Sequence, residues 1–228
     1  MLTKRINDPK TPDHKTPLLL IGGGGHCASV IDVVESTEQY HIVGIVEAKG
    51  VKQTEFMGYP IVGTDDELEM LIQQTPHCLI TVGQLKTADL RKTLFDQVLA
   101  LGGLCPVIVS PFARVATQAK VGAGTVIMHF ALVNSQATVG DNCIINSYAS
   151  VEHGSQIGKH GHLSTRATIN GDCQIGDGCF IGSAATVLQG KSIASGSVIG
   201  AGALVTKDLI QAGLYIGSPA KNATHYDT

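Results

Sequence analysis

The stretch VNSQATVGDNCIINSYASVEHGSQI, residues 133–157, places an aliphatic residue at every sixth position: Val133, Val139, Ile145, Val151 and Ile157. The count extends outward in both directions. It runs through Val115, Val121 and Ile127 on one side, and through Leu163, Ile169, Ile175, Ile181, Val187, Ile193, Ile199 and Val205 on the other. All sixteen positions are Ile, Leu or Val, with no gap or insertion. Four residues after each of the first fifteen stands a small residue, from Ala119 to Ala203, with Lys191 the one exception.

A strict six-residue period marks a β-solenoid. The aliphatic residue points inward and the small residue leaves room at a tight turn. Three sixes make one triangular coil, so the run holds about five coils, roughly 24 Å tall at the usual strand spacing. Burial of sixteen aliphatic side chains drives the stack, at roughly 1.5–3 kcal/mol each before chain entropy is subtracted. The composition agrees: 27 Gly, no Trp and 4% aromatic residues suit a regular stack of small and aliphatic side chains. Cys143, Cys173 and Cys179 all fall in the small slot and read as small buried hydrophobes.

Before Pro111 the pattern differs. TPLLLIG, HIVGIVE, PIVG, HCLITVG and LCPVIVSP read as strands; CASVIDVVEST, TDDELEMLIQQ and KTADLRKTLFDQVLALG read as helices. This βαβ order predicts a small parallel sheet with helices on its faces, a Rossmann-like α/β unit too short for the full double unit. The expected organisation is an N-terminal arm over 1–16, the α/β domain over 17–110 and the solenoid over 111–228.

Other classes are set aside by composition. A net charge of −3 with 15% charged residues and scattered Lys and Arg argues against general affinity for nucleic acid or an anionic membrane. No run of eighteen apolar residues exists, so no membrane span is expected. The leading MLTKRINDPKTPDHKTP lacks the apolar core of a signal peptide. Six cysteines without a CxxC pair give no zinc or redox motif, and no metal site is expected. They read as reduced thiols of a cytoplasmic protein.

Three motifs carry chemistry. In IGGGGHCASVIDVV, Gly23, Gly25 and Ala28 fit G-x-G-x-x-G/A after a strand and before a helix. Glycines let the backbone approach a pyrophosphate, whose charge the helix N-terminus favours. Glu47, after the second strand, is the acidic residue for a ribose hydroxyl. The second motif is Glu152–His153. His153 lies two places after an inward aliphatic and should sit at the outer surface of a coil, where imidazole titrates near neutrality and serves as a general base. Glu152 would hold its tautomer, provided a turn brings the two together, or act through another group, because neighbours on a strand point to opposite faces. The third is GSPAK, residues 217–221.

The hexad run resembles the hexapeptide acyltransferases, whose fold is a left-handed parallel β-helix. The whole layout, GGGGHC at 22–27, EH at 152–153 and GSPAK at 217–221, is similar to the NeuD/PglD-like sugar acetyltransferases. The resemblance implies that Gly23, Gly24 and Gly25 hold the diphosphate of a nucleotide-linked amino sugar, with His26 beside the phosphates. Cys27 stands where the family usually has Gly, and GIVEAKG replaces a more acidic segment. The resemblance further implies that His153 is the catalytic base. It puts His162 near the acetyl-CoA thioester, the Gly171 N–H on the acetyl carbonyl and Asn146 near sugar and cofactor. Lys221 is matched to a CoA phosphate, with a solvated lysine as its alternative. His129 and His160 carry no motif.

The resulting expectation is an acetyl-CoA-dependent N-acetyltransferase of a nucleotide-linked amino-deoxy sugar. It would act as a homotrimer with sites between protomers. Two other readings stand beside it: O-acetylation of a sialic or related acid, and a catalytically silent trimeric scaffold.

Overall fold

The computed structural model describes residues 15–84 and 87–223. Most of the expected arm, residues 1–14, lies outside the described residues, as does Lys86 of the third expected helix.

The N-terminal unit is built as the βα alternation predicts. Strand β1 (Thr16–Ile21) leads to helix α1 (Gly25–Thr37) and strand β2 (Tyr40–Glu47). Then come β3 (Glu55–Phe56), β4 (Tyr59–Thr64), α2 (Leu68–Gln74), β5 (Cys78–Ile80) and α3 (Asp89–Ala100). The sheet order is β3-β4-β2-β1-β5, parallel except for the β3–β4 hairpin. Thr64 and Glu67 form a capping box on the 3-10 turn Asp65–Glu67 ahead of α2. Leu18, Leu20, Val30, Ile31, Val34 and Leu79 pack one side of this sheet.

The segment LCPVIVSP does not complete this sheet as expected. Leu104 bridges His77 beside β5, but Ile108–Val109 pairs with Val126–Ile127 in the solenoid. Eight residues after the α/β unit's last helix the chain has crossed to the other body, because Pro106 interrupts the run and Val109 fits the first inward row, while Ile108 faces the α/β unit.

The solenoid is a left-handed parallel β-helix with three faces. The first face stacks Ile108–Val109, Val126–Ile127, Ile144–Ile145, His162–Leu163, Phe180–Ile181 and Val198–Ile199. The second runs from Arg114–Val115 to Leu204–Val205, and the third from Lys120–Val121 to Ser192–Ile193. Each strand pairs with the one eighteen residues on, as Leu132 with Ser150 and Val133 with Val151. The aliphatic residues of the hexads fill a continuous interior.

Corner chemistry explains the left-handed turns. A residue with positive φ recurs every six positions from Gly124 to Gly202, and eight of these are not glycine, among them Phe130, Tyr148, Arg166 and Asp172. Such backbone is unfavourable for side-chain-bearing residues, so the stacking of coils must hold it. The small slot adds a bond. Thr125, Cys143, Ser155, Cys173 and Cys179 each donate from oxygen or sulfur to a carbonyl fifteen residues ahead, at 2.6–3.2 Å. All six cysteines are free and buried. Burial pushes the Cys143 thiol up to about 12 and that of Cys179 to about 11. They are packing and hydrogen-bonding groups with no thiolate character.

Hydrogen bonds fasten the bodies together, two sets of them on the α1 and α3 sides. His129 of the solenoid holds Asp32 of α1 through Nε2 at 2.8 Å and Ser110 Oγ through Nδ1 at 2.6 Å. Asn142, at a corner, exchanges bonds with Arg91 of α3. No helix of the described residues is long and apolar enough to cross a membrane.

Candidate active site

Between the α/β unit and the first face lies a cleft of about 720 Å³. It sits outside the C-terminal ends of β1, β2 and β5, where open α/β sheets receive ligands. Its walls include Gly23, Gly24, His26, Glu47, Asn146 and His162. Helix α1 begins at Gly25 with Gly24 as an uncapped N-cap, so its first amides face the cleft without a side-chain partner.

Glu47 grips the loop itself. Its Oε1 accepts the Gly23 N–H at 2.8 Å and its Oε2 the Ala48 N–H at 3.2 Å. A Cβ on Gly23 would stand 2.2 Å from that Oε1, so only glycine admits the carboxylate. Cys27, the departure from the family pattern, is fully buried and packs in the core beside Val30 and Ile31. It does not line the cleft.

The two histidines of the cleft are neutral. His162 is 6% exposed, and burial pushes its pKa down to about 4. Its Nδ1 lies 2.9 Å from the Gln84 carbonyl, which can only accept, so Nδ1 carries the proton. Nε2 is left as an acceptor facing the Asn146 amide at 3.5 Å. His26, with its ring centroid 6.3 Å from that of His162, is pushed down to about 3 by burial, by Arg91 and by His162. The buried His26 Nε2 has no hydrogen-bond partner among the described residues.

A second locus lies on the corner between the second and third faces. His153 is 57% exposed there. Gly171 lies one coil on, and a Cβ on it would stand 2.5 Å from His153 Cε1 and 2.6 Å from Nε2. The imidazole therefore rests over a backbone that has no side chain. The Gly171 N–H meets no acceptor among the described residues.

The carboxylate beside the imidazole is not the expected one. Glu152 accepts a 2.6 Å bond from Asn134 and makes no hydrogen bond to His153. Asp172 presents Oδ1 3.8 Å from His153 Nδ1, a charge contact and not a direct hydrogen bond. The reason is geometric: Glu152 and His153 diverge at the strand end, whereas Asp172 turns back from the next coil, its N–H on the His153 carbonyl at 2.9 Å.

Within one chain the predicted site residues thus form two groups. Gly23, Gly24, Gly25, His26, Glu47, Asn146 and His162 gather at the cleft. His153 and Gly171 meet on a corner away from the first face, so His162 does not share their locus in the single protomer. Lys221 lies on the exposed strand Lys221–Asn222, which pairs antiparallel with Leu214–Ile216, apart from both groups. Asp172, Asn134, Gln84 and Arg91 escaped the sequence reading. The first two were recoverable from coil arithmetic, since Asn134 lies eighteen residues before Glu152 and Asp172 nineteen after His153.

Comparison with known proteins bears on both groups. Residues 17–98 match the family described as PglD N-terminal domain, and residues 174–207 the hexapeptide repeat of succinyl-transferase. The acetyltransferase domain of PglB from Neisseria gonorrhoeae is 30% identical, with a TM-score of 0.85 over 92% of this chain and 100% of that one. The same domain in complex with acetyl coenzyme A is 29% identical, with a TM-score of 0.84 over the same shares. PerB from Caulobacter crescentus, in complex with CoA and GDP-perosamine, is 30% identical, with a TM-score of 0.85 over 91% of this chain and 97% of that one. No curated protein matches the chain in sequence.

Proposed function

This chain belongs to the NeuD/PglD-like family of hexapeptide-repeat sugar acetyltransferases, and from that premise we propose that it moves the acetyl group of acetyl-CoA onto the amine of a nucleotide-linked amino-deoxy sugar. The enzyme class is an acetyl-CoA-dependent sugar acetyltransferase. The nucleotide, the amine acceptor and the residue roles are the proposal. One observation carries it: His153 stands exposed over a glycine whose N–H is unused.

In this mechanism the sugar amine attacks the thioester carbonyl directly. As the C–N bond forms, the His153 imidazole takes the ammonium proton. The Gly171 N–H donates to the developing oxyanion, a type of contact worth about 10²–10³ in rate. The C–S bond then breaks, and the CoA thiolate recovers the proton from the imidazolium. Asp172 stabilises that cation from the Nδ1 side. No acetyl-enzyme forms, because every cysteine is buried.

The cleft suits the nucleotide, with the α1 amides toward phosphate and Glu47 toward ribose. A homotrimer supplies the geometry that one chain lacks. The second face carries outward Leu132, Ser150, Thr168, Thr186 and Leu204, with Arg114 its one charge. Along one edge runs an exposed stack, Phe112 on Phe130 at 5.8 Å and Phe130 on Tyr148 at 4.9 Å, with Arg166 over Tyr148. Along its other edge stands His153. Packing this face against copies brings the His153 corner of one protomer to the cleft side of the next.

The test is thiol release from acetyl-CoA with UDP-, GDP- and dTDP-amino sugars against free nonulosonic acids. Turnover with a nucleotide amino sugar, abolished in His153→Ala, is expected. Release with the free acids alone overturns the amine assignment.

A further inference from the structure

Arg91, on α3, is 1% exposed and is among the largest fully buried side chains of the molecule. Its guanidinium makes three hydrogen bonds, all to backbone carbonyls. Nη1 donates to Ile80 at 2.6 Å and to Val82 at 2.9 Å, and Nε to Asn142 at 3.1 Å. Nη2 has no partner. No carboxylate pairs with it among the described residues, and burial lowers its pKa only to about 10, so it stays charged.

A buried charge without a counter-ion is costly, and a neutral amide could brace the same carbonyls without that cost. The location supplies a reason for the charge. Val82, Gly83 and Gln84 form one wall of the cleft, and Leu90 and Leu94, flanking Arg91 on α3, line it as well. The cation therefore lies one peptide behind the cleft surface. Its field reaches both cleft histidines, being a cause of the lowered pKa of His26 and of His162. The buried, unpartnered His26 Nε2 and the open amides of α1 lie on the same lining. The acidic groups of the cleft, Glu47 and Asp65, stand at the end of β2 and at the start of the 3-10 turn after β4. The cleft is thus polarised, cationic toward the α3 wall and the α1 terminus, anionic toward Glu47 and Asp65.

We propose that Arg91 is a positioning residue of the nucleotide cleft: without touching the ligand, it supplies the fixed buried charge that selects a diphosphate and orients it toward the α1 terminus and the Val82–Gln84 wall. This rests on the nucleotide reading given above. Arg91 braces the wall through Ile80 and Val82, ties it to the solenoid through Asn142, and receives its counter-charge when the ligand binds. At an effective dielectric of about 20 and a separation on the order of 10 Å, one unit of ligand charge gains about tenfold in affinity from such a cation.

The experiment titrates UDP, GDP and dTDP, and the corresponding nucleosides, into the wild type, Arg91→Met and Arg91→Lys by calorimetry. Turnover is followed with whichever nucleotide amino sugar the wild type accepts. Arg91→Met should weaken diphosphate binding at least tenfold and nucleoside binding less than threefold. It should raise KM for the nucleotide sugar while leaving kcat within about threefold. Arg91→Lys, which keeps the charge, should hold diphosphate affinity within about threefold. Equal losses for nucleoside and diphosphate in Arg91→Met, or no loss for either, overturn the proposal. If Arg91→Met does not fold, Arg91→Lys decides: a tenfold loss of diphosphate affinity in a folded Arg91→Lys overturns the charge assignment. A wild type that binds no nucleoside diphosphate overturns the nucleotide reading itself, a result separable from any failure of Arg91 alone.

Discussion

His153 rests on Gly171: the imidazole fills the space a side chain would take, and a Cβ there would come within 2.5 Å of its Cε1. Gly171→Ala should therefore displace the ring and obstruct the N–H beside it, while leaving the coil paired. We expect kcat for acetyl transfer to fall at least tenfold with an unchanged circular dichroism spectrum. A variant of near wild-type rate would show that neither ring position nor amide matters to the chemistry.

Two carboxylates compete for the role of orienting His153, and their contacts separate them. Asp172 faces Nδ1 at 3.8 Å, whereas Glu152 is held by Asn134. Asp172→Asn should lower kcat about ten- to a hundredfold, less than the roughly 10²–10⁴-fold that the base itself contributes. Glu152→Gln should cost less than about threefold. Steady-state rates of the two variants settle the assignment, and the reverse order restores Glu152.

The neutral histidines make stability depend on pH in a defined direction. Folding holds His162 at about 4 and His26 at about 3, below their ordinary 6.5. Between pH 6.5 and about 4 the unfolded chain binds more protons than the folded one. Stability contributed by the neutral rings is fully present above pH 6.5 and is lost as pH falls through this window, by up to about 1.4 kcal/mol per pH unit per ring. Urea unfolding at pH 7 and pH 5 measures it. His162→Gln should flatten that slope by about half.

Ser110, His129 and Asp32 join the two bodies in one chain of hydrogen bonds. Ser110 is 1% exposed and accepts the Phe112 N–H at 3.0 Å as it meets His129. His129→Ala leaves the buried hydroxyl without its partner and should cost about 1–3 kcal/mol. Asp32→Asn, at an exposed carboxylate, should cost less than about 1 kcal/mol. Chemical denaturation distinguishes the two; equal effects would locate the linkage elsewhere.

The aromatic edge of the second face gives a prediction about assembly. Phe130 and Tyr148 are each 53% exposed in the single chain, an unusual disposition for stacked rings. Phe130→Ser with Tyr148→Ser should weaken self-association by roughly thirtyfold or more, as loss of buried aromatic anchors does. Turnover should fall with it and secondary structure should not. Sedimentation velocity at micromolar concentration reads the outcome, and an unaltered trimer would place the interface on another face.

The solenoid and its inward rows were legible because a six-residue period repeats one local solution: aliphatic inward, small at the turn. Sixteen repetitions leave little else for the chain to do. The Gly-rich loop was legible for a similar reason, since strand, glycines and helix are contiguous. Ile108–Val109 was misread because a short aliphatic run suits either a parallel sheet or a solenoid coil, and only its partner Val126–Ile127 distinguishes them. Whether Glu152 reaches His153 was not legible, because adjacency in sequence is not adjacency at a coil corner.

What a linear order of residues can dictate here is repetition: the period, the inward rows and the turns follow from interactions within eighteen residues. Folding in three dimensions chose the rest. It set Asp172 beside His153, parted the His153 corner from the glycine cleft, and left Arg91 charged behind the cleft wall. Those outcomes depend on the offset between stacked coils and on groups as far apart as Arg91 and Asn142 sharing one dry volume. Desolvation acts through space, so it has no signature along the chain.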